Sequence, residues 1–105
     1  MSDSNEIRSP EVDDLLSVLA QMDNEDEIYS LLEDLFTIRE IRETSQRLAV
    51  AQLLDQGQSY SSIVGKTGAS ATTIARVSKC LSHGSGGYRH ALDILGDEST
   101  AKPSE

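Results

Sequence analysis

The chain of 105 residues lacks tryptophan, holds a single cysteine, and has only three tyrosines and one phenylalanine. The lone thiol, Cys80, excludes an internal disulfide framework and is typical of a reducing compartment. No apolar run approaches the roughly 18 residues of a membrane span, and the polar, acidic start does not resemble a signal peptide. We therefore expect a cytoplasmic protein. So few aromatic residues give a monomer a small core, which dimerisation would enlarge.

Positive charge is also scarce, since the chain has 9 lysines and arginines and 18 acidic residues, which gives a net charge of −9. The deficit is uneven along the chain. Residues 1–46 hold thirteen acids and three arginines (−10), residues 47–91 hold five cations and one acid (+4), and residues 92–105 hold four acids and one lysine (−3). Charges more than about one Debye length apart, roughly 10 Å at 0.1 M salt, are largely screened. The middle of the chain is therefore suited to a polyanion although the whole chain is acidic.

Apolar residues recur at helical spacing, and no stretch alternates as a strand would. The pattern predicts an all-α protein with one domain over residues 11–95. Residues 1–10 offer no apolar period and are predicted to be a flexible acidic arm, and residues 96–105 a disordered tail.

Capping signals divide the domain into helices. Asn24 is placed to cap the second helix, and Thr37 with Glu40 forms a capping-box pattern that opens the third. Gly57 suits the left-handed position past the end of that third helix. A polar stretch around Ser45 interrupts its apolar stripe, and indicates either a solvent-facing side or a bend or break into two helices.

Residues from about 59 to 81, which include YSSIVGKTGASATTIARVSKCL, have the pattern of a helix-turn-helix. Gly68 supplies the positive φ of a tight turn, Ala69 is small enough to pack between crossing helices, and Ser70 caps the second helix. That second helix is predicted to run from Ala71 to about Leu81. The periodicity predicts these inward residues: Tyr60, Ile63 and Val64 in the first helix, and Ile74, Val77 and Leu81 in the second.

The outward face of the second helix has what reading of the DNA major groove requires. It combines short hydroxyls and methyls near the helix start with cations for phosphates. The predicted major-groove residues are Ser70, Ala71, Thr72, Thr73 and Arg76, and the predicted phosphate contacts are Arg47, Lys66 and Lys79. The alternative is that glycine in the turn and serine at the cap serve an ordinary helical hairpin, which packs against proteins only.

In these segments the chain resembles the Trp repressor superfamily, and within it the YerC/YecD branch of Trp repressor-related proteins. The resemblance spans residues 35–95 and is carried by LFTIRE (35–40), QRLAVA (46–51) and TGASATTIARVSKCL (67–81), followed by Tyr88. It implies an intertwined, all-helical homodimer in which each subunit offers one recognition helix to successive major grooves. Such a dimer would prefer a palindromic site with half-sites about 10 base pairs apart.

The resemblance also implies a possible effector pocket formed by Thr37, Arg47, Arg76, Val77 and Cys80. Arg47 and Arg76 are similar in position to the two arginines that sandwich tryptophan in the Trp repressor. Val77 stands where that repressor has a pocket glycine, and Cys80, a weak hydrogen-bonding group, stands where it has a serine. We therefore do not expect tryptophan to act as corepressor. The simpler roles for Arg47 and Arg76 are phosphate contact or pairing with an acid such as Asp55.

Other chemistry has weak support in the sequence. Cys80, His83 and His90 are the only soft metal ligands, one fewer than a closed structural zinc site needs. No oxyanion hole or orienting group accompanies them. We expect Cys80 to pack near a helix interface, and we expect no metal, no cofactor and no enzymatic activity.

Two further hypotheses concern the acidic segments. The chain could be a protein-interaction module that binds a basic partner through residues 11–36 and does not read DNA. The acidic arm could also compete with DNA for Arg76 and Lys79 and so lower the affinity.

Overall fold

The computed structural model describes residues 8–101, and over these residues the chain is all α. The helices are α1 (Pro10–Gln21), α2 (Glu25–Leu35), α3 (Ile38–Asp55), α4 (Tyr60–Thr67), α5 (Ala71–His83) and α6 (Gly87–Ala101). None of the helices in this range is long and apolar enough to cross a membrane. The chain divides into two compact units, one ending at Ile41 and one beginning at Arg42.

The first unit begins with an ordered helix start inside the predicted arm. Ser9 is the N-cap of α1, its Oγ accepts a hydrogen bond from Val12 N at 3.2 Å, and Pro10 occupies the first helical turn. Arg8 pairs with Asp13 at 2.6 Å. The predicted arm boundary at residue 10 is therefore wrong, because serine before proline is a strong helix start. The rest of the predicted arm, residues 1–7, lies outside the described range.

Neither α1 nor α2 contains a buried residue in the single chain. Asn24 caps α2 as predicted, since its Oδ1 accepts from Asp26 N at 2.8 Å and from Glu27 N at 3.3 Å. Large apolar side chains are exposed in this unit: Leu16, Val18, Tyr29, Leu35, Phe36 and Ile38. Stripes of this kind stabilise a fold when another surface covers them.

Helix α3 is continuous from Ile38 to Asp55, so the predicted option of a break into two helices near Ser45 is wrong. The capping box at its start is confirmed in both directions, with Thr37 N donating to Glu40 Oε1 at 2.9 Å and Glu40 N donating to Thr37 Oγ1 at 3.1 Å. Ser45 is exposed, and its Oγ donates to the Arg42 carbonyl at 3.1 Å without interrupting the helix. A serine that bonds back to its own helix on the solvent side does not break it.

The end of α3 is a Schellman motif at the predicted glycine. Gly57 has φ of 82°, Gly57 N donates to Leu54 O at 3.0 Å, and Gln58 N donates to Leu53 O at 3.1 Å. This motif satisfies the last carbonyls of α3 and turns the chain into α4.

The second unit has one apolar core to which α3, α4, α5 and α6 all contribute. Its buried members are Val50, Ala51, Ile63, Ala69, Ile74, Val77 and Leu92. The core therefore fixes α4 and α5 against α3 and α6.

Helix α6 continues to Ala101, beyond the predicted domain end at residue 95. Gly96 does not adopt a positive φ, so it costs helix stability without ending the helix. The predicted tail from residue 96 is therefore helical through Ala101, and residues 102–105 lie outside the described range.

An exposed ion pair links the last turn of α3 to α6. Arg89 Nη1 and Nη2 donate to the two carboxylate oxygens of Asp55 at 3.0 and 2.9 Å, and Arg89 Nε lies 3.7 Å from Asp93. The hydrogen bonds from Arg89 lower the pKa of Asp55 despite partial loss of hydration, and they raise the pKa of Arg89. The predicted pairing of Asp55 with Arg47 or Arg76 is wrong, since Arg89 occupies both carboxylate oxygens.

Acid should remove the contribution of this pair to stability. The folded-state pKa of Asp55 lies below the ordinary value of an aspartate carboxyl, so the contribution is present above the unfolded pKa and is lost as the pH falls through the folded pKa. We expect Asp55→Asn to have a slightly lower Tm than wild type at pH 6 and the same Tm near pH 2. Asp23→Asn, at an exposed loop carboxylate, is the control. A difference for Asp55→Asn that does not change with pH would contradict the expectation.

Candidate nucleic-acid interface

The first helix of the helix-turn-helix, α4, is short and capped at both ends. Ser59 Oγ accepts from Ser62 N at 3.1 Å, and Gly68 has φ of 75° with its N–H donating to Val64 O at 2.9 Å. The predicted left-handed turn glycine is confirmed. Because a side chain rarely adopts this φ, the turn depends on glycine at residue 68.

Only one of the three predicted inward residues of α4 is buried. Ile63 is fully buried, but Tyr60 is 44% exposed and Val64 is 42% exposed. Thr67, one turn after Ile63, is half-buried. The inward line of this two-turn helix therefore runs through residues 63 and 67, and residues 60 and 64 both lie further round the helix on the same side of that line.

Thr67 makes three hydrogen bonds that stabilise the turn between α4 and α5. Its Oγ1 donates to Ile63 O at 2.8 Å and accepts from Ala69 N at 3.1 Å. Its carbonyl accepts a hydrogen bond from Gln46 Nε2 of α3 at 3.0 Å. The turn is thus bonded within itself and to the long helix beneath it.

Two exposed glycines of this segment should respond in opposite directions to alanine. An added Cβ meets nothing within 4 Å at Gly65 or Gly68, but only Gly68 has a positive φ. We expect Gly65→Ala to stabilise the protein by about 0.5–1 kcal/mol through helix propensity, and Gly68→Ala to destabilise it by about 1–2 kcal/mol through left-handed strain. Urea unfolding measures both, and changes of the same sign would contradict the assignment of the turn.

The second helix, α5, begins as predicted at the Ser70 cap and extends two residues past Leu81, to His83. Ile74 and Val77 are buried, and Leu81 is half-buried against the core. The opposite side of the helix is therefore held outward.

Most of the predicted reading face is exposed. Ala71, Thr72, Arg76 and Lys79 are exposed, whereas Thr73 is half-buried. Ser70 Oγ accepts from Thr73 N at 3.1 Å and also lies 3.1 Å from Thr73 Oγ1, within hydrogen-bonding distance. The hydroxyls of Ser70 and Thr73 thus serve the cap, and the hydroxyl of Thr72 projects without such a partner among the described residues.

The cations of this unit differ in how they are held. Lys66 Nζ donates to Gln58 Oε1 at 2.8 Å, which also accepts from Ser62 Oγ at 2.8 Å. Arg47 is half-buried, and its Nη2 donates to Thr44 Oγ1 at 3.4 Å. Within the described range, Arg76 and Lys79 have no hydrogen bond or ion pair. Both are one or two turns past the start of α5, on its exposed side.

The residues of the predicted effector pocket differ in burial and belong to both compact units. Thr37 belongs to the first unit, where it caps α3, and the other four residues belong to the second. Val77 is 1% exposed and packs in the core, while Cys80 is exposed. The predicted placement of Cys80 at a helix interface is wrong, because the buried line of α5 passes through residues 74, 77 and 81. The pocket itself stays a prediction.

A separate open cavity of about 210 Å³ lies between α3 and α6. It is lined by Gln52, Asp55, Gln56, Leu92, Leu95 and Gly96, none of which was predicted to bind an effector. Over the described residues, no group of three or more His, Cys, Asp or Glu side chains could hold a metal ion.

Sequence reasoning missed two glutamines of the helix-turn-helix region, Gln46, which bonds to the turn, and Gln58, which accepts a hydrogen bond from Lys66. The four-residue spacing of Gln58, Ser62 and Lys66 is a signal from which their cluster could have been predicted. The bond from Gln46 to Thr67 joins residues 21 positions apart, and no local pattern indicates it.

Comparison with known proteins agrees with this architecture. Residues 10–95 match the family model described as Trp repressor protein. The chain is 38% identical over 101 residues to an uncharacterised protein of Bacillus subtilis, YerC, and the match covers 96% of this chain and 97% of YerC.

Two crystal structures share the fold. One is of a candidate Trp repressor from Staphylococcus aureus, with a TM-score of 0.85, 34% identity, and coverage of 91% of this chain and 96% of that one. The other is of a TrpR-like protein from Eubacterium eligens, with a TM-score of 0.83, 38% identity, and coverage of 88% and 95%. Proteins of the matched family are typically regulators without enzymatic activity. The chain therefore belongs to the Trp repressor family.

Proposed function

We propose that this protein is a sequence-specific, double-stranded DNA-binding regulator of transcription that represses by occupying operator DNA. The observation that carries the proposal is the exposed side of α5, where Thr72, Arg76 and Lys79 project without partners among the described residues. No acid occurs between residues 59 and 81, which hold three cations. This face combines short polar groups with positive charge, as a major-groove surface requires.

The roles divide between bases and phosphates. Residues at the start of α5 and Arg76 would contact base edges, with Ser70 and Thr73 fixing the helix start. Lys79, Lys66 and Arg47 would lie near phosphates, and their contacts would supply affinity that falls as salt rises. Lys66 is favoured for this role because Gln58 already fixes its ammonium group.

A homodimer is supported by the first unit. Its two helices bury no residue in the single chain and expose a series of large apolar side chains, so a second copy would provide the missing cover. A two-fold dimer would read a palindrome with half-sites about 10 base pairs apart. We expect an intertwined homodimer, which the resemblance to the Trp repressor superfamily also implies.

Selection from a random duplex DNA pool at roughly 100 mM salt tests the proposal, because nonspecific electrostatic binding is already weakened there. Recovery of a two-fold symmetric motif is the expected result. Recovery of nothing above background would contradict the proposal.

The second candidate, an acidic protein-interaction module, is favoured by the exposed apolar and acidic residues of α1 and α2. It predicts a stable complex with a basic protein through residues 11–36. It also predicts a DNA affinity that does not change when Arg76 and Lys79 are replaced by alanine.

Tryptophan should not alter DNA binding. Val77, which resembles the pocket glycine of the Trp repressor in position, is 1% exposed and belongs to the core, so we expect its side chain to fill the space that an indole edge would need. We expect titrations of the selected operator with and without tryptophan to superimpose. A tenfold gain in affinity, about 1.4 kcal/mol, would contradict this expectation.

A further inference from the structure

The turn between α4 and α5 is attached to α3 in two chemically different ways. Ala69 of the turn is 2% exposed and belongs to the same apolar core cluster as Val50 and Ala51 of α3. Apolar contact of this kind is strong but non-directional. The second attachment is the directional hydrogen bond of 3.0 Å from Gln46 Nε2 to the Thr67 carbonyl.

The Thr67 carbonyl needs such a donor. It belongs to the last residue of α4, and the last four carbonyls of a helix lack partners within the helix. The nearest amide that could turn back to this carbonyl, Ala69 N, is instead used by Thr67 Oγ1. Both Thr67 and Gln46 are half-buried, so leaving this carbonyl without a donor is unfavourable.

We propose that Gln46 is a positioning residue for DNA reading. Its amide fixes the end of α4 on α3 and thereby sets the direction in which α5 leaves the turn and presents Thr72 and Arg76. The inference rests on the proposed function. Gln46 acts through the turn and does not itself contact the DNA.

Gln46→Met tests this role, because methionine keeps the length and apolar stem of the side chain but removes the donor. Gln21→Met is the matched control, since Gln21 Nε2 also donates a side-chain hydrogen bond, to Ser17 within α1 at 3.1 Å. Affinity is measured on the selected operator and on a random duplex of equal length, across a series of salt concentrations, alongside the helix content of each variant.

For Gln46→Met we expect about a tenfold loss of operator affinity, equivalent to about 1.4 kcal/mol. Affinity for the random duplex, the salt slope and the helix content should stay unchanged. When Thr72 is already alanine, Gln46→Met should lower the operator affinity by less, because the base contact of Thr72 that depends on the position of α5 is already absent. Gln46→Lys, which restores a donor, should recover the ratio of operator to random affinity.

Three results would overturn the inference. An unchanged operator affinity would show that the bond does not position α5. Equal losses on both duplexes with a shallower salt slope would show that Gln46 contacts phosphate directly. Loss of helix content would show a general structural role. If the wild-type protein selects no DNA sequence, the proposed function and this inference fail together. If the wild-type protein selects an operator and Gln46→Met binds it with unchanged affinity, only the inference fails.

Discussion

Ile74→Ala is expected to destabilise the protein by about 2–5 kcal/mol. Ile74 is fully buried in the first turn of α5 and contributes to the core that α3, α4 and α6 share. Truncation removes apolar contact and leaves a cavity that neighbouring helices cannot fill without shifting. Since domains are stable by only about 5–15 kcal/mol, urea unfolding should detect a large shift in the midpoint.

Ile94→Ala provides the control for this measurement. Ile94 is the same residue type on α6 but is 47% exposed in the single chain, so the same truncation should cost within about 0.5 kcal/mol. Equal losses at both positions, independent of protein concentration, would contradict the placement of the core. A loss at Ile94 that depends on protein concentration would instead indicate that a second copy covers it.

Arg76→Ala is expected to lower affinity for the selected operator by about 10- to 100-fold, since a bidentate arginine–base contact contributes about 1–3 kcal/mol of discrimination. Arg76 is exposed on α5 and lacks an ion-pair partner among the described residues, so its guanidinium is available to a base edge. Preference at one position of each half-site should relax. Affinity for random duplex should change much less.

Lys79→Ala is the matched comparison, one turn further along the same exposed side. A phosphate contact carries no sequence information, so this change should weaken all duplexes about equally and reduce the salt slope by about 1. Equal loss on every sequence from both variants would contradict the division of roles. Binding that neither change affects would favour the protein-interaction module.

Local signals predicted most of the helix ends and turns around α3, α4 and α5 correctly. The capping box at Thr37, the left-handed glycines at residues 57 and 68, and the Ser70 cap each satisfy backbone groups within a few residues, so short sequence patterns specify them. The buried line of α5 through Ile74 and Val77 followed from helical period alone. These features place the candidate reading face on the outside of α5.

Two of the errors arise from features that the helical period does not specify. Tyr60 and Val64 are apolar and were predicted to face inward, but α4 has only two turns and buries a single line of residues. Asp55 was expected near Arg47 or Arg76, but the packing of α6 brings Arg89 to it. Which partner a side chain meets across the core depends on the arrangement of whole helices, which periodicity does not specify.

In the proposed DNA complex, the hydroxyl pair of Ser70 and Thr73 would limit how much of a DNA sequence α5 can read. Each of these hydroxyls is within hydrogen-bonding distance of the other, and the Ser70 oxygen also receives the Thr73 amide. At the start of the helix this leaves Thr72 and the methyl of Ala71 as the groups most free to discriminate between bases. Even with Arg76, so few groups would distinguish few base pairs in each half-site. Recognition of one site in a genome would therefore depend on repetition of the half-site and on the deformability of the DNA between the copies.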